Sequence, residues 1–357
     1  MTFLSDLGLS LPLIQAPMAG VATPQLAAAV SNAGALGSIG VGATDANGAS
    51  QMIAALRDLT TAAFNVNLFV HKNPEPDPLI AQRWCAAMSA AFHQFEAQPP
   101  SDLQIIYQSF ATDDAMLRVL LDHAPAVISF HFGLPDESRI KALKEAGSIL
   151  FATATSLTEA QRAERAGIDA IVAQGYEAGG HRGLFDPSQP DERLGTEALT
   201  RLLVANLRCP VIAAGGLMNG ADIRKALDWG AVAAQLGTAF VGCPESAADT
   251  GYRRALTQAA ERGTIMTKAL SGRPARCLVN RFTTWAQDQN ATVPAYPMAY
   301  DAAKSLHAAA KAKGEFGFGA QWAGAGAGQA RFMPAAELVA TLTKEFQATG
   351  NAAPQTP

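Results

Sequence analysis

The sequence predicts an α/β fold, a (β/α)8 TIM barrel with a smaller, mainly helical inserted lobe. Three observations predict it. Short apolar runs alternate with amphipathic helical segments over the first two thirds of the 357 residues, the pattern of parallel strands joined by right-handed crossover helices. Eight such units are complete by Phe240, and eight close into a barrel more naturally than they extend as an open sheet. Glycines and polar side chains gather where the apolar runs end, which is where a barrel places its chemistry. An open doubly wound sheet is the alternative.

Taken in order, Leu13 to Met18 is the first strand; Thr23 caps the next helix, Pro24 fills its first turn and Gly34 ends it. Leu36 to Gly40 is the second strand, a helix runs from Gly48 to Leu59, and Ala63 to Val70 is the third strand. The rhythm breaks over His71 to Pro100, where Asn-Pro, Glu-Pro and Asp-Pro pairs surround a helix around Trp84 to Phe95. An insertion on a strand-to-helix loop usually shapes a site. Leu103 to Tyr107 reads as an extra strand, Asp113 to His123 as a helix and Ala126 to Phe132 as the fourth strand.

The rhythm then becomes regular. Helix Glu137 to Ala146, strand Ile149 to Thr155, helix Leu157 to Ala166, strand Ala170 to Gln174 and helix Thr196 to Asn206 follow one another. Strand Val211 to Ala214, helix Ala221 to Trp229 and strand Ala231 to Leu236 complete the eight. Past Phe240 the pattern changes: helical over Ser246 to Arg262, irregular and polar over Arg281 to Gln289, helical over Ala299 to Ala312, then glycine-rich over Gly317 to Gly328. Phe316, Phe318 and Trp322 interleave with those glycines, so the stretch reads as an ordered loop against the barrel mouth rather than a linker. Residues 1–242 and 329–357 are therefore assigned to the barrel and 243–328 to the lobe, with Pro334 to Phe346 as the barrel's last helix and Asn351 to Pro357 as a frayed tail.

Composition excludes several partners. The net charge is −4 and the Lys and Arg residues are scattered, so no basic stripe is available to neutralise a phosphate backbone and nucleic acid is not expected. No eighteen apolar residues run together, and the first eighteen lack a basic start followed by an apolar core. The expectation is a soluble, cytoplasmic protein with no membrane partner. Cys85, Cys209, Cys243 and Cys277 lie far apart without a Cys-x-x-Cys pair, and the histidines lack ligand spacings, so neither a disulfide framework nor a metal site is expected.

The strand ends carry the chemistry. Gly215-Gly216 follows the seventh strand and Gln235-Leu236-Gly237-Thr238 ends the eighth, the two positions where barrels hold a phosphate on backbone N–H groups. Met18, Asn67, His131 and Gln174 end or lie in other strands. Asn and Gln amides match the donor and acceptor edges of a pyrimidine-like ring, and Met18 can lie against a flat surface. The set describes a site for a planar heterocycle bearing a phosphate, and flavin mononucleotide (FMN) fits it best. The stretch Ala173 to Gly183, with Glu177 and His181 among four glycines, is poorly suited to core packing and reads as one wall of the site. Tyr296, Tyr300 and Lys304 are spaced four apart and would share one helix face, Pro297 marking its first turn. Each has a plainer reading as well: His131 as a core histidine, the two tyrosines as packing between lobes, Lys304 as a solvated residue. His71, His93, His123 and His307 are given surface or structural roles.

The motifs Gln-Ala-Pro-Met at 15–18, Phe-Asn-Val-Asn-Leu-Phe at 64–69, Ser-Phe-His-Phe-Gly-Leu-Pro at 129–135, Ala-Gln-Gly-Tyr-Glu-Ala-Gly-Gly-His-Arg-Gly at 173–183, Gln-Leu-Gly-Thr-Ala-Phe at 235–240 and Tyr-Pro-Met-Ala-Tyr-Asp-Ala-Ala-Lys at 296–304 resemble nitronate monooxygenase, formerly 2-nitropropane dioxygenase. The resemblance covers nearly the whole chain and is closest to the bacterial class I enzymes. It implies FMN contacts at Asn67, Gln174, Gly179, Gly216 and Gln235 to Thr238, with His131, His181, Tyr296, Tyr300 and Lys304 as the active-site wall. It also implies oxidation of an alkyl nitronate, propionate 3-nitronate first among them, by O2 through a flavin semiquinone to a carbonyl product and nitrite. His181 is the expected residue beside the flavin that positions or polarises the nitronate, and His131 is the second catalytic candidate. Two other readings stand beside this one: an NAD(P)H-dependent FMN reductase of quinones or enoyl thioesters on the same scaffold, and a flavin-binding barrel without catalysis.

Overall fold

The computed structural model describes residues 3–350; the tail expected over Asn351 to Pro357 lies outside the described residues. The chain begins α1 (Phe3–Asp6), β1 (Leu13–Gln15), α2 (Pro24–Asn32), β2 (Gly37–Gly40), α3 (Ala46–Arg57), β3 (Phe64–Phe69) and α4 (Pro78–His93). It continues α5 (Asp114–His123), β4 (Val127–His131), α6 (Glu137–Glu145), β5 (Ile149–Ala154), α7 (Leu157–Arg165) and β6 (Ala170–Gln174). Then come β7 (Gly180–His181), α8 (Thr196–Asn206), β8 (Val211–Ala214), α9 (Gly220–Asp228), β9 (Ala233–Leu236) and α10 (Thr238–Val241). Beyond them lie α11 (Thr250–Thr257), α12 (Ala259–Arg262), β10 (Thr264–Thr267), β11 (Ala275–Leu278), α13 (Arg281–Gln287) and α14 (Met298–Ala312). Helix α15 (Ala335–Gly350) returns to pack between α9 and α2.

The fold is a TIM barrel. Eight strands pair in parallel in the order β1-β9-β8-β6-β5-β4-β3-β2. The ring closes through a parallel bridge between Ile14 and Leu36, where Gln15 N–H donates to the Leu36 carbonyl at 2.9 Å and Leu36 N–H to that of Leu13 at 3.0 Å. Local chemistry starts the helices where the strand ends hand over: Thr23, Asp45, Asp136, Ser156 and Asn219 each accept a hydrogen bond from a first-turn backbone N–H, removing one of the orphan donors of a helix start.

Side-chain alternation along the strands places the site. Val127, Phe151, Ala170, Val172, Ile212 and Ala233 meet in one apolar cluster, while their neighbours Ile128, Leu150, Ile171 and Val211 pack in another with residues of the surrounding helices. Because strand side chains repeat every second residue, the next positions on the inner face are Ser129 and His131, Thr153, Gln174, Ala214 and Gln235. The barrel is thus apolar below and polar at the C-terminal ends of its strands.

Four expectations are corrected. Leu103 to Tyr107 forms no strand: a closed barrel offers no edge to join, and Gln104 N–H donates instead to the Asp301 carboxylate at 2.9 Å. The polar stretch after Asn280 is not irregular but helix α13, set by a reciprocal capping box between Asn280 and Thr283. The helix expected over Ser246 to Arg262 starts only after Asp249 and divides at Gln258 into α11 and α12, since Ser246 spends its hydroxyl on the Val241 carbonyl. The helix expected around Trp84 begins earlier, at Pro78, where Asp77 caps it. A small antiparallel sheet, β10-β11-β7, was not foreseen at all, since its short strands lack a clean alternation and β7 is two residues long.

Candidate active site

A cavity of about 600 Å³ opens at the C-terminal end of the barrel. Its floor is the polar inner layer: Asn67, Ser129, His131, Thr153, Gln174 and Gln235. Its cover comes from later in the chain: Tyr252, Tyr296, Tyr300, Lys304, Trp322, Gly324 and Gly326. No lining residue is acidic, and Lys304 is the one that carries a formal charge.

One end of the cavity is built of backbone. Gly215 and Gly216 turn after β8 with φ of +127° and +72°, a region only glycine enters without strain. Gly237 and Thr238 follow β9, and the Thr238 hydroxyl accepts from Gly324 N–H at 2.9 Å. A Cβ on Gly179 would lie 2.5 Å from the Gly324 nitrogen, and one on Gly326 would lie 2.8 Å from the Gly216 carbonyl oxygen. These backbones meet as a cradle that side chains would fill, with Met18 alongside, its sulfur 3.9 Å from the Cβ position of Gly237. A phosphate-bearing group fits such a cradle of backbone donors. The glycine-rich loop is fastened there by Ala325 N–H on the Glu177 carbonyl at 2.9 Å and Ala323 N–H on that of Arg276 at 3.2 Å. The Glu177 carboxylate turns away from His181 and caps α8, accepting from Thr196 N–H at 2.8 Å and its hydroxyl at 2.9 Å.

The other end is built of side chains around His181, which is held at both ends. Its carbonyl accepts from Gln174 Nε2 at 2.9 Å and from His131 Nε2 at 3.1 Å, while its own Nε2 lies 2.8 Å from Ser271 Oγ. Ser271 directs its proton to the Arg273 carbonyl at 3.2 Å, so Ser271 accepts from His181. The network assigns Nε2 as the protonated nitrogen and leaves Nδ1 as the acceptor. The ring sits in an aromatic cage, with centroids of Trp322 at 4.9 Å, Phe132 and Tyr296 at 5.5 Å and Tyr300 at 6.4 Å. Burial lowers the His181 pKa to about 3, helped by the field of His131 and Arg273. His131 falls to about 4, again first through burial. Both are neutral near pH 7.

The Gln174 side chain makes a second bond, accepting from Gly183 N–H at 2.8 Å through Oε1. Both ends of its amide therefore hold the turn that carries His181. Asn67 Nδ2 donates to Ser129 Oγ at 2.8 Å. Tyr296 is not on the helix as expected: it precedes α14, whose N-cap is Pro297, yet its ring joins Tyr300 on the cavity wall. The Tyr296 hydroxyl is buried without a partner, an unspent donor. Lys304 is exposed, at the cavity mouth, where Nζ donates to Tyr107 Oη at 3.2 Å and makes no ion pair among the described residues. Tyr107, Tyr252 and Ser271 escaped the sequence reading as site residues, whereas Trp322, Gly324 and Gly326 belong to the glycine-rich loop expected against the barrel mouth. The signal at hand was the Ser-Gly-Arg-Pro turn at 271–274.

A family model described as Nitronate monooxygenase matches residues 1–345. The chain belongs to the nitronate monooxygenase family. It is 57% identical over 342 residues to a nitronate monooxygenase of Paraburkholderia phytofirmans, covering 96% of this chain and 93% of that one. Among solved structures it is similar to a nitroalkane oxidase from Streptomyces ansochromogenes, with TM-score 0.89, 40% identity and 98% and 99% of the two chains covered. It is also similar to FabK from Thermotoga maritima, with TM-score 0.75, 29% identity and 98% and 97% covered. Nitronate monooxygenases are enzymes that oxidise nitronates, and a cavity without acidic lining suits an anionic substrate. Among the described residues no group of three or more His, Cys, Asp or Glu could hold a metal ion, and no helix is long and apolar enough to cross a membrane.

Proposed function

We propose that the protein is an FMN-dependent nitronate monooxygenase that oxidises alkyl nitronates, propionate 3-nitronate among them, with O2 to a carbonyl product and nitrite. The observation that carries this reading is the two-ended cavity, with a glycine cradle at one end and a caged neutral histidine at the other and no carboxylate between. In this reading Gly179, Gly216, Gly237 and Thr238 hold the phosphate through backbone N–H groups and the Thr hydroxyl. Met18, Asn67 and Gln235 support the ring, Leu236 anchors the strand end by packing outward against the helices, and Gln174 acts chiefly by fixing the His181 turn. Bound there, FMN would supply the electron-transfer chemistry between nitronate and O2.

The chain's own part is orientation and exclusion of water. A nitronate carries its charge on two oxygens and the adjacent carbon, so donors placed at those oxygens stabilise it most in a dry pocket. Tyr296 Oη has its proton unspent, and His181 is fixed from both ends, so the nitro group has one orientation to adopt. Lys304 at the mouth would take a substrate carboxylate, and residues 243–328 act as the lobe that covers the substrate. The setting proposed for this reaction is the cytoplasm.

A second reading, an NAD(P)H-dependent reductase of quinones or enoyl thioesters, draws support from the likeness to FabK. One experiment separates them: purify the protein, record its flavin spectrum, and measure oxygen uptake with propionate 3-nitronate against NADH plus quinone. Nitronate-dependent uptake with release of nitrite supports the proposal. Rapid anaerobic bleaching by NADH, with no uptake on nitronate, overturns it.

A further inference from the structure

Two arginines are buried beside the cavity, and the chain treats them differently. Arg182, 1% exposed, is neutralised: Nε and Nη2 donate to the Asp191 carboxylate at 3.0 and 2.9 Å. Arg273, 4% exposed, makes no ion pair among the described residues. Its Nη2 donates to the Leu184 carbonyl at 3.0 Å, its Nη1 has no partner, and its guanidinium lies 4.3 Å from the centroid of Phe132. Glu159 and Asp186 act on it only through their fields; Glu159 is held by Thr155 and Phe185, and Asp186 by Ser188.

Phe132 is the partition between this charge and the site. Around its ring stand His131 at 4.5 Å, Tyr296 at 5.3 Å and His181 at 5.5 Å. The Arg273 turn is also braced against the site's own backbone: Gly272 has φ +94°, and a Cβ there would lie 2.4 Å from the Tyr296 nitrogen. The same turn supplies Ser271, the partner of His181.

We propose that Arg273 is an electrostatic positioning residue: a fixed positive charge one ring layer behind the wall of His131, His181 and Tyr296, which draws the nitronate anion to that wall without touching it. This rests on the nitronate reading above. A buried cation without a direct ion pair is costly to keep, and its field is strong where water is excluded. Burial lowers its pKa only to about 10, so it stays charged across the working range. Its field also helps keep His71, His131 and His181 neutral. At this wall the anion therefore meets a constant charge rather than a titrating cluster.

The test compares Arg273→Gln and Arg273→Lys with wild type, using propyl-1-nitronate, which has no carboxylate for Lys304. Arg273→Gln should raise KM about tenfold while kcat stays within about twofold, and weaken competitive inhibition by nitrite to the same degree. Arg273→Lys, which keeps the charge but not the planar stack, should recover at least half of that loss on a logarithmic scale. Wild-type KM in Arg273→Gln, or Arg273→Lys as impaired as Arg273→Gln, overturns the proposal. If wild type consumes no oxygen with the nitronate, the proposed function fails separately. Nitrite-dependent thermal shifts of wild type and Arg273→Gln then decide the role of Arg273: a weaker shift in the variant supports it, and equal shifts overturn it.

Discussion

In the proposed reading the two ends of the cavity recognise in different ways. At the Gly216–Gly324 end the recognising atoms are main-chain, and the side chains have been removed so that backbones can touch. At the His181 end the recognising atoms are side-chain, and each is held by others: Ser271 and Gln174 on His181, and Tyr107 on Lys304. Main-chain recognition fails when volume is added, whereas side-chain recognition fails when chemistry is removed. Substitutions that keep volume but change chemistry, and the reverse, should therefore separate the two ends.

The largest effect is expected at His181. His181→Asn should lower nitronate turnover by about 10², the cost of a substrate misplaced by about 1 Å once the ring that orients it is lost, with flavin content unchanged. Full turnover at normal flavin content would remove His181 from the chemistry. Next is Gly179→Ala at the other end. Its methyl would meet backbone on both Ala323 and Gly324, which cannot rotate aside, and overpacking of about 2 kcal/mol corresponds to about thirtyfold in cofactor affinity. Titration of the stripped protein with FMN reads this directly, and wild-type affinity would show that the cradle is not where the phosphate sits.

A pH series sharpens the contrast, because only the side-chain end titrates. His71, given a surface or structural role from sequence, is 3% exposed, neither ring nitrogen finds a partner in hydrogen-bonding geometry, and its ring meets Tyr296 edge-on at 5.0 Å. Burial lowers its pKa to about 4, with Arg273 adding to the effect and the nearby backbone of Tyr107 opposing it. A histidine whose folded pKa lies below its unfolded value of about 6.5 binds fewer protons when folded, so stability falls as pH drops below about 6.5 and levels off below the folded value. Between pH 7 and 5 one such histidine costs about 2 kcal/mol. Denaturant melts of wild type and His71→Phe should differ by that amount in their loss of stability over this range, and parallel pH dependences would show that His71 takes up its proton in the folded state as readily as in the unfolded one.

The fold was legible because a barrel repeats its pattern eight times, and a strand misjudged by two residues does not disturb the count. The floor of the site was legible for a related reason: Asn67, His131, Gln174 and Gln235 continue an inner face whose apolar members the alternation already fixes. The cover was only half legible. Tyr296, Tyr300 and Lys304 share a spacing, but Ser271, Trp322 and Gly324 reach the mouth by packing from segments with no period to read. Glu177 shows the limit most clearly. Its place between glycines reads as part of the site wall, yet the α8 start at Gly195 has no side-chain cap of its own, and the Glu177 carboxylate fills that role from across the turn.

The smallest effect is expected at Lys304, which lies exposed at the cavity mouth beside Tyr107 and Tyr300. Its ammonium stands 5.4 Å from the centroid of the Tyr107 ring and 5.9 Å from that of Tyr300, so it is partly oriented without being neutralised. Exposure limits what one charge contributes, and a charged hydrogen bond at such a mouth is worth about 1 kcal/mol rather than the larger values of buried pairs. Lys304→Met should therefore raise KM for propionate 3-nitronate about fivefold, leave propyl-1-nitronate unchanged, and lose this selectivity in high salt as screening removes the charge. Equal changes for the two substrates would mean that Lys304 acts through its packing on Tyr107 and Tyr300, and the carboxylate would then have to be met elsewhere on the wall.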